Sequence, residues 1–391
     1  LSARGGSNQG NGGLAEVSGK ENLLFRGKAD LSVVNGSRGT LLLDPKNIQV
    51  ADSPNCGGSC DVTSSSSSDV TTGATFTSND VVSKPEDFGI RTTDLVSALT
   101  GNVVLKANND ITIDSAIDAS GNNNAGNLEL QAGRSIDINA NITVEGSFTA
   151  IANEESAKAG TRDAGDATFN SNGFTINTAD STASVHDISI SYQTGPGDGF
   201  DTGAMVIGTL NAGSSGAITI NSTSSETVSV DAVTNAGELI LTQSNGATFE
   251  GAVTAGTITL TDTTNNADIL FQGNVTATTL TTAAQGYDLS FTGGSTTITN
   301  AVTFQNTGTL NLGNAAGDTF TFNGGLTENT SGTVTLASTI NSSNDAISFG
   351  AVTLGANTTI DTNATNTTGD ITIGAVTGDL NSLTLSTGDN V

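Results

Sequence analysis

The sequence predicts an all-β protein, a parallel β-helix whose short strands wind into stacked coils, with loop excursions and one short helix. Three observations predict this fold. The composition is rich in turn-forming and β-branched residues, many triplets place one polar residue between two apolar ones, and a motif recurs through the second half.

The composition differs from that of an ordinary globular domain. Glycine accounts for 48 of the 391 residues, aromatic residues for 4% and charged residues for 13%, against about 25% charged in a typical domain. Disordered chains usually combine low hydrophobicity with high charge. Threonine, asparagine and glycine in this abundance instead favour short strands joined by tight turns.

The first 50 residues alternate short apolar runs, such as 41–43, with turn-forming segments. Residues 51–85 are predicted to be a loop insertion, because they contain the serine run 64–68 and a threonine-rich tract. Strands resume after it. The predicted domains are a segment over 1–140 and an acidic repeat region over 141–391.

Residues 92–99 form the predicted helix. Thr92 or Thr93 can cap its N-terminus and Gly101 can end it. Its apolar face is predicted to contain Leu95, Val96 and Leu99. The helix is short, so it requires packing against the rest of the fold.

From about residue 125, apolar–polar–apolar triplets follow one another, as in 128–130, 136–138 and 239–241. This period of two indicates strands with one buried face. In the second half a motif recurs whose core is an apolar residue, often Phe, then a Gly, then a Val or Leu and a Thr. The leading residues of this motif are Ile207, Val230, Phe249, Phe271, Phe291, Phe322, Phe349 and Ile373.

These eight residues are spaced by 23, 19, 22, 20, 31, 27 and 24 positions. A coil of three short strands needs a period of this size, and successive coils stack about 4.8 Å apart. The residues are therefore predicted to form one internal column, with glycine at the adjacent corner. The two longest spacings predict loops that bulge from their coils. A sandwich or barrel is the competing architecture, and it would require antiparallel hairpins.

The net charge of −27 is unevenly distributed, since residues 163–391 contain twenty acidic residues and no basic one. Such a stretch cannot neutralise phosphates, so binding of nucleic acid or of an anionic membrane surface is not expected. No run of about 18 apolar residues predicts a membrane-spanning helix. No signal peptide is recognised, and the chain begins in the middle of a motif. It is therefore interpreted as a processed product or a piece of a longer protein.

The two cysteines, Cys56 and Cys60, are separated by Gly57, Gly58 and Ser59. Two cysteines without a nearby histidine are too few for a structural zinc site. The alternatives are a disulfide, which suits a secreted protein, and two free thiols. The disulfide is the preferred interpretation.

The first third of the chain resembles large exoproteins of the filamentous-haemagglutinin type, which are bacterial surface proteins. The resemblance is carried by segments 1–7, 16–20, 39–48, 95–99 and 101–113, including Gly39-Thr40-Leu41-Leu42-Leu43-Asp44-Pro45. It implies a right-handed β-helix, export across a Gram-negative envelope with an outer-membrane secretion partner, and a role in adhesion or biofilm formation. The Asn-Pro-containing secretion domain that usually starts such proteins is not seen.

Catalysis is not expected. His186, the only imidazole, is followed by Asp187, but neighbours in a strand point to opposite faces, so a surface strand residue is the preferred interpretation. Parallel β-helices include lyases and hydrolases, which need clustered carboxylates, usually with Arg or Lys. A pair about 5–9.5 Å apart would indicate a glycosidase.

Calcium is the best cofactor candidate. Asp198 and Asp201 lie in a glycine-rich turn that partly resembles the calcium repeats of other β-rolls, although it is solitary. Asp110, Asp114 and Asp118 are spaced by four and are predicted to line one turn region. Solvated turn carboxylates are the alternative for both sets.

The sequence therefore predicts a structural extracellular adhesin or surface-fibre segment, an elongated rod for attachment, aggregation or matrix formation. The expected partners are components of host cells, neighbouring cells or the matrix. Two alternatives remain open. One is a self-assembling filament subunit that associates end to end through strand edges, and the other is a β-helix carbohydrate-active enzyme.

Overall fold

The computed structural model describes residues 1–19, 23, 25, 28–52, 87–121, 126–157, 162–179, 185–193, 202–330, 332–363, 368–378 and 380–387. The chain forms two compact units, residues 1–180 with 189–203 and residues 181–188 with 204–391. The boundary predicted between residues 140 and 141 falls inside the first unit, between two of its strands. Most of the predicted insertion over 51–85 lies outside the described residues.

Short strands dominate the first unit. They are β1 (Leu14–Ser18), β2 (Thr40–Asp44), β3 (Asn47–Val50), β4 (Asp87–Ile90), β5 (Asn102–Ala107), β6 (Ile111–Ile113), β7 (Ile117–Asp118), β8 (Leu128–Ala132), β9 (Ile136–Ile138), β10 (Ile142–Thr143), β11 (Phe148–Ala152), β12 (Ala167–Asn170) and β13 (Thr175–Asn177). The helix α1 (Thr92–Ala98) and a 3₁₀ turn (Glu155–Ala157) complete it. Strand β14 (Ile188–Tyr192) follows.

The second unit is built from longer strands at first and then from short ones. They are β15 (Thr202–Asn221), β16 (Val228–Ser244), β17 (Ala247–Phe249), β18 (Val253–Thr263), β19 (Asp268–Phe271), β20 (Val275–Thr282), β21 (Asp288–Phe291), β22 (Ser295–Ile298), β23 (Val302–Phe304), β24 (Leu310–Leu312), β25 (Thr319–Phe322), β26 (Leu326–Glu328), β27 (Val334–Leu336), β28 (Thr339–Asn341), β29 (Ile347–Phe349), β30 (Val352–Leu354), β31 (Thr358–Asp361), β32 (Ile371–Ile373), β33 (Val376–Thr377) and β34 (Leu383–Ser386).

The strands pair in parallel with strands one coil away, as the sequence predicts. In the first unit one series runs β1–β2–β5–β8–β11, a second runs β4–β3–β6–β9–β12 and a third runs β7–β10–β13. From β5 onward, strands that follow one another along the first unit belong to different series. Each unit is therefore a parallel β-helix, and right-handed winding is the sense that nearly all parallel crossovers adopt.

The second unit repeats this arrangement on three sides. The first side runs β17–β19–β21–β24–β27–β30–β33, the second contains β18–β20–β22–β25–β28–β31–β34, and the third contains β23–β26–β29–β32. The longer strands β18 and β20 pair with each other from Val253 to Leu260, and β20 also lies next to β23 of the third side. Every strand pair whose register is described is parallel, as in β5–β8 and β18–β20, so the sandwich alternative is wrong.

The predicted helix is present, with two differences. Its N-cap residue is Arg91 rather than Thr92 or Thr93, and no side chain bonds to the cap. Thr92 is the first helical residue and donates its hydroxyl hydrogen to the Asp52 carboxylate. Ala98, not Val96, joins Leu95 and Leu99 in the buried face. The helix packs beside β5 and β7.

Glycines allow successive coils to approach closely at the corners. A Cβ on Gly273 would lie 2.0 Å from the carbonyl oxygen of Gly251, and one on Gly293 would lie 2.2 Å from that of Gly273. In the first unit, a Cβ on Gly126 would lie 1.9 Å from the oxygen of Gly101. The predicted corner glycines are therefore required for lack of space between stacked backbones.

Asparagine side chains reinforce the stacking where the backbone turns. The Asn102 side-chain oxygen accepts a hydrogen bond from the Asn127 amide at 3.1 Å, and the Asn127 oxygen accepts one from the Ser147 amide at 2.9 Å. Each bond joins one coil to the next. Neither helix in the described part of the chain is long and apolar enough to span a membrane.

Candidate functional site

The predicted internal column exists over five of its eight residues. The strand register pairs Ile207 with Val230, Val230 with Phe249, Phe249 with Phe271 and Phe271 with Phe291. All five side chains are buried. The rings of Phe249, Phe271 and Phe291 stack with centroids 4.8 and 4.9 Å apart and planes 8° apart.

The column then continues through leucines rather than through the three remaining predicted residues. Phe291 pairs with Leu312, Leu312 with Leu336 and Leu336 with Leu354. The spacings from Phe249 onward are 22, 20, 21, 24 and 18 residues. The predicted bulges at the spacings of 31 and 27 residues are therefore wrong.

Phe322, Phe349 and Ile373 lie on other sides of the coil. Phe322 belongs to β25 and pairs with Ile298 on the second side. Phe349 pairs with Ile373 on the third side. The prediction failed because the three sides of a coil carry similar apolar–polar–apolar triplets, so the interval from Phe291 to Phe322 includes a change of side.

The structure does not test the predicted disulfide or the predicted calcium-binding turn. The cysteines Cys56 and Cys60 and the calcium candidates Asp198 and Asp201 lie outside the described residues. Within the described part of the chain, no group of three or more His, Cys, Asp or Glu side chains is arranged to hold a metal ion. The grouping of Asp110, Asp114 and Asp118 as metal ligands is therefore not supported.

Two of those three aspartates have local partners. The Asp114 carboxylate accepts hydrogen bonds from Gln49 at 2.6 Å and from Asn139 at 2.9 Å. The Asp118 carboxylate accepts bonds from the amide and hydroxyl of Ser120, which lower the pKa of Asp118. These contacts tie turns and neighbouring coils together.

The third aspartate belongs to a charged cluster on the first unit. Both Asp110 oxygens are bound by the Arg134 guanidinium, with Nε 2.8 Å from one of them. The same oxygen also accepts the Ser135 amide at 3.1 Å. Arg134 donates a further bond to the Ala164 carbonyl at 3.0 Å. This bidentate pair is half-buried, and it fixes the segment around residue 164 to the coil stack.

Asp163 provides a second attachment for the same segment. Asn109 is fully buried, and its side chain exchanges two 2.8 Å hydrogen bonds with Asp163, one through each polar atom. Lys46 lies 3.3 Å from the other Asp163 oxygen. Sequence reasoning missed these contacts, because 54 positions separate Asn109 from Asp163 and nothing local marks the pair.

Asp137 lies beside this cluster and has no hydrogen-bond partner among the described residues. Partial burial raises the pKa of the Asp137 carboxyl. The charges of Asp110 and Asp114 raise it further, while Arg134 opposes them. A carboxyl with a raised pKa is suited to proton donation. However, Asp110 is held by Arg134, so the cluster has the contacts of a structural clamp.

The His186 prediction requires one adjustment. His186 is half-buried and lies two residues before the start of β14, rather than within a strand. The neighbouring Asp187 carboxylate accepts the Ala217 amide at 2.8 Å, which connects this segment to β15.

The parallel pairing of strands and the buried column in register define the chain as a parallel β-solenoid protein, which is a repeat protein of stacked coils. Comparison with known protein families, curated proteins and solved structures finds no match to this chain.

Proposed function

We propose that this chain is a structural segment of a bacterial extracellular or cell-surface adhesin, which spaces or forms an attachment surface. The observation that carries the proposal is the uninterrupted internal column from Ile207 to Leu354. Buried apolar residues in register over successive coils make each coil dependent on its neighbours. Such a stack suits a mechanical or spacing role.

The surface charge supports an extracellular, solvated setting. Residues 163–391 contribute only negative charge, which keeps copies of the chain apart in solution. Host cells, neighbouring cells and matrix polymers are the proposed partners. Secretion through an outer-membrane partner belongs to the proposal, and it is supported by the resemblance of segments 1–7 and 101–113 to exported exoproteins.

Surface display tests the adhesin role. The full chain is anchored on a non-adherent bacterium, and attachment to cultured cells, matrix-coated surfaces and other bacteria is counted. We expect attachment or aggregation above that of cells that display an unrelated acidic protein. Equal counts on every surface would contradict the proposal.

The charged cluster provides a separate test of the enzyme alternative. The purified chain is incubated with a panel of polysaccharides, and new reducing ends or unsaturated products are measured beside the Asp137→Asn variant. We expect no product from either protein. Product that disappears in the variant would replace the structural role with a carbohydrate-active one.

A further inference from the structure

The second side of the second unit carries an ordered set of hydroxyl groups. Strand register aligns Ser295 with Thr319, Thr319 with Thr339 and Thr339 with Thr359. A parallel column aligns Thr297 with Thr321. We call these six residues the hydroxyl array: Ser295, Thr297, Thr319, Thr321, Thr339 and Thr359.

The array has two regular spacings. Neighbouring strands lie about 4.8 Å apart, and residues two positions apart on one strand lie about 6.6 Å apart. Thr319 and Thr321 occupy both columns on one strand, as Ser295 and Thr297 do on the strand before it. The first spacing is repeated through β22, β25, β28 and β31, so the array is two-dimensional.

The six hydroxyls are not used by the fold. None of them bonds to another residue in the described part of the chain, whereas hydroxyls elsewhere do, such as that of Thr358, which donates to the Leu336 carbonyl at 3.1 Å. The array side chains are exposed or half-exposed. Their bonding capacity is therefore directed to solvent.

The array is also rigid. Buried side chains lie beneath it on the same strands, namely Thr296, Ile298, Phe320, Phe322, Ile340 and Ile360. The β-branched threonines have restricted χ1 rotation, so ordering them on contact with a surface costs little entropy. Each offers a methyl group as well as a hydroxyl.

The chemistry of the array selects its partner. No basic residue occurs from residue 163 onward, so anionic polymers are not attracted. Both tyrosines are buried, so neither supplies a platform for stacking sugars. What remains is a rigid lattice of hydroxyl and methyl groups aligned by the strand register. Its two repeats are close to those of the oxygen lattice of hexagonal ice.

We propose that the hydroxyl array binds the surface of ice by ordering water on its hydroxyl and methyl lattice. The inference goes beyond the structural role and can fail independently of it, because it concerns the purified chain and ice alone. Thr254 and Thr276 extend one column by two further coils, since Thr254 pairs with Thr276 and Thr276 with Thr297.

Partition into slowly growing ice tests the proposal. The purified chain is compared with Thr321→Lys and Thr297→Lys, which place a long charged side chain in the array. Thr335→Lys is the matched control, because Thr335 is the outward central residue of β27 on the first side. Circular dichroism and the melting midpoint establish that each variant is folded.

We expect the original chain and Thr335→Lys to be enriched in the ice fraction. Thr321→Lys and Thr297→Lys should fall to the level of an unrelated acidic protein. Exclusion of the original chain from ice overturns the proposal, as does equal loss in Thr335→Lys. Retention on crystalline cellulose together with exclusion from ice assigns the array to a polysaccharide instead and also overturns it.

Discussion

At the scale of single residues, the interior depends on matching side chains stacked one coil apart. Phe271 is fully buried between Phe249 and Phe291, and its ring stacks on both. Phe271 therefore contacts a matching ring in the coil before it and another in the coil after it. Both tyrosines are buried. The Tyr192 hydroxyl accepts a hydrogen bond from the Phe169 amide at 2.9 Å. For Tyr287, burial raises the pKa of the hydroxyl to about 12.

Phe271→Ala is expected to lower the free energy of unfolding by about 3–5 kcal/mol, because it removes a buried ring and leaves a cavity. Denaturant unfolding measures the change. Leu270→Ala, on the outward side of the same strand, is the matched control and is expected to change stability by about 0.5 kcal/mol. Equal losses in the two variants would contradict the assignment of inward and outward sides.

Gly273→Ala is expected to destabilise the chain by about 1–3 kcal/mol, as overpacked sites do, since its new methyl group meets the Gly251 carbonyl. Gly294→Ala is the control, because a Cβ there has no atom within 4 Å. Its stability should be unchanged or slightly raised. A thermal melt of both variants is sufficient, and an unaffected Gly273→Ala would exclude close stacking at this corner.

At the scale of elements, the first unit contains three parts that lie outside the regular succession of coils: strand β4, the helix α1 and the segment around residue 164. Strand β4 pairs with β3, which also pairs with β6 on its other side. The helix then packs beside β5 and β7. The segment around residue 164 is attached to the same unit by two contacts. Arg134, which is paired with Asp110, donates to the Ala164 carbonyl, and Asp163 bonds to Asn109. These contacts join elements that the sequence separates widely.

Asp137→Asn is expected to raise the melting midpoint at pH 7. Because folding raises the pKa of Asp137, the folded state binds its proton more tightly than the unfolded chain, and the ionised form lowers stability at neutral pH. That cost disappears as the pH falls through the raised pKa. The advantage of the variant should therefore shrink towards about pH 4, the ordinary range of aspartate.

Melting curves between neutral and acidic pH provide the measurement for Asp137→Asn. Asp166→Asn removes an exposed carboxylate of the same unit and is the control. We expect little change from it at any pH. A constant difference between Asp137→Asn and the original chain across the pH range would rule out the linkage.

At the scale of the whole molecule, charge is distributed unevenly along the chain. All twelve basic residues lie between residues 4 and 162. Three of them form the described ion pairs Arg4–Asp30, Lys46–Asp163 and Arg134–Asp110. Residues 163–391 contain twenty acidic residues and no lysine or arginine, so their stacked coils repel one another electrostatically. The two units should therefore respond differently to salt.

Raising sodium chloride from about 10 mM to 150 mM shortens the screening length from about 30 Å to about 8 Å. We expect hydrogen exchange to slow in peptides from 204–391, because screening relieves repulsion between acidic coils. Peptides around Arg134 should gain less, because the same screening weakens their ion pairs. A uniform response along the chain would contradict this explanation.

The sequence by itself determined the class of fold and its local pattern. Apolar–polar–apolar triplets indicate strands with one buried side, so the strands at 128–130 and 136–138 could be placed from the sequence alone. The helix over 92–99 and the corner glycine after Phe249 followed from equally local rules. Each of these features depends only on residues a few positions apart.

Only the tertiary structure decided which side of a coil each residue occupies. The three sides share one pattern, and corner lengths vary, so spacing alone assigned Phe322 and Phe349 to the wrong column. Register between coils also created the bond between Asn109 and Asp163 and the alignment of Thr297 with Thr321. These contacts join residues more than twenty positions apart, and hydrogen bonding between stacked backbones, not local sequence, brings them together.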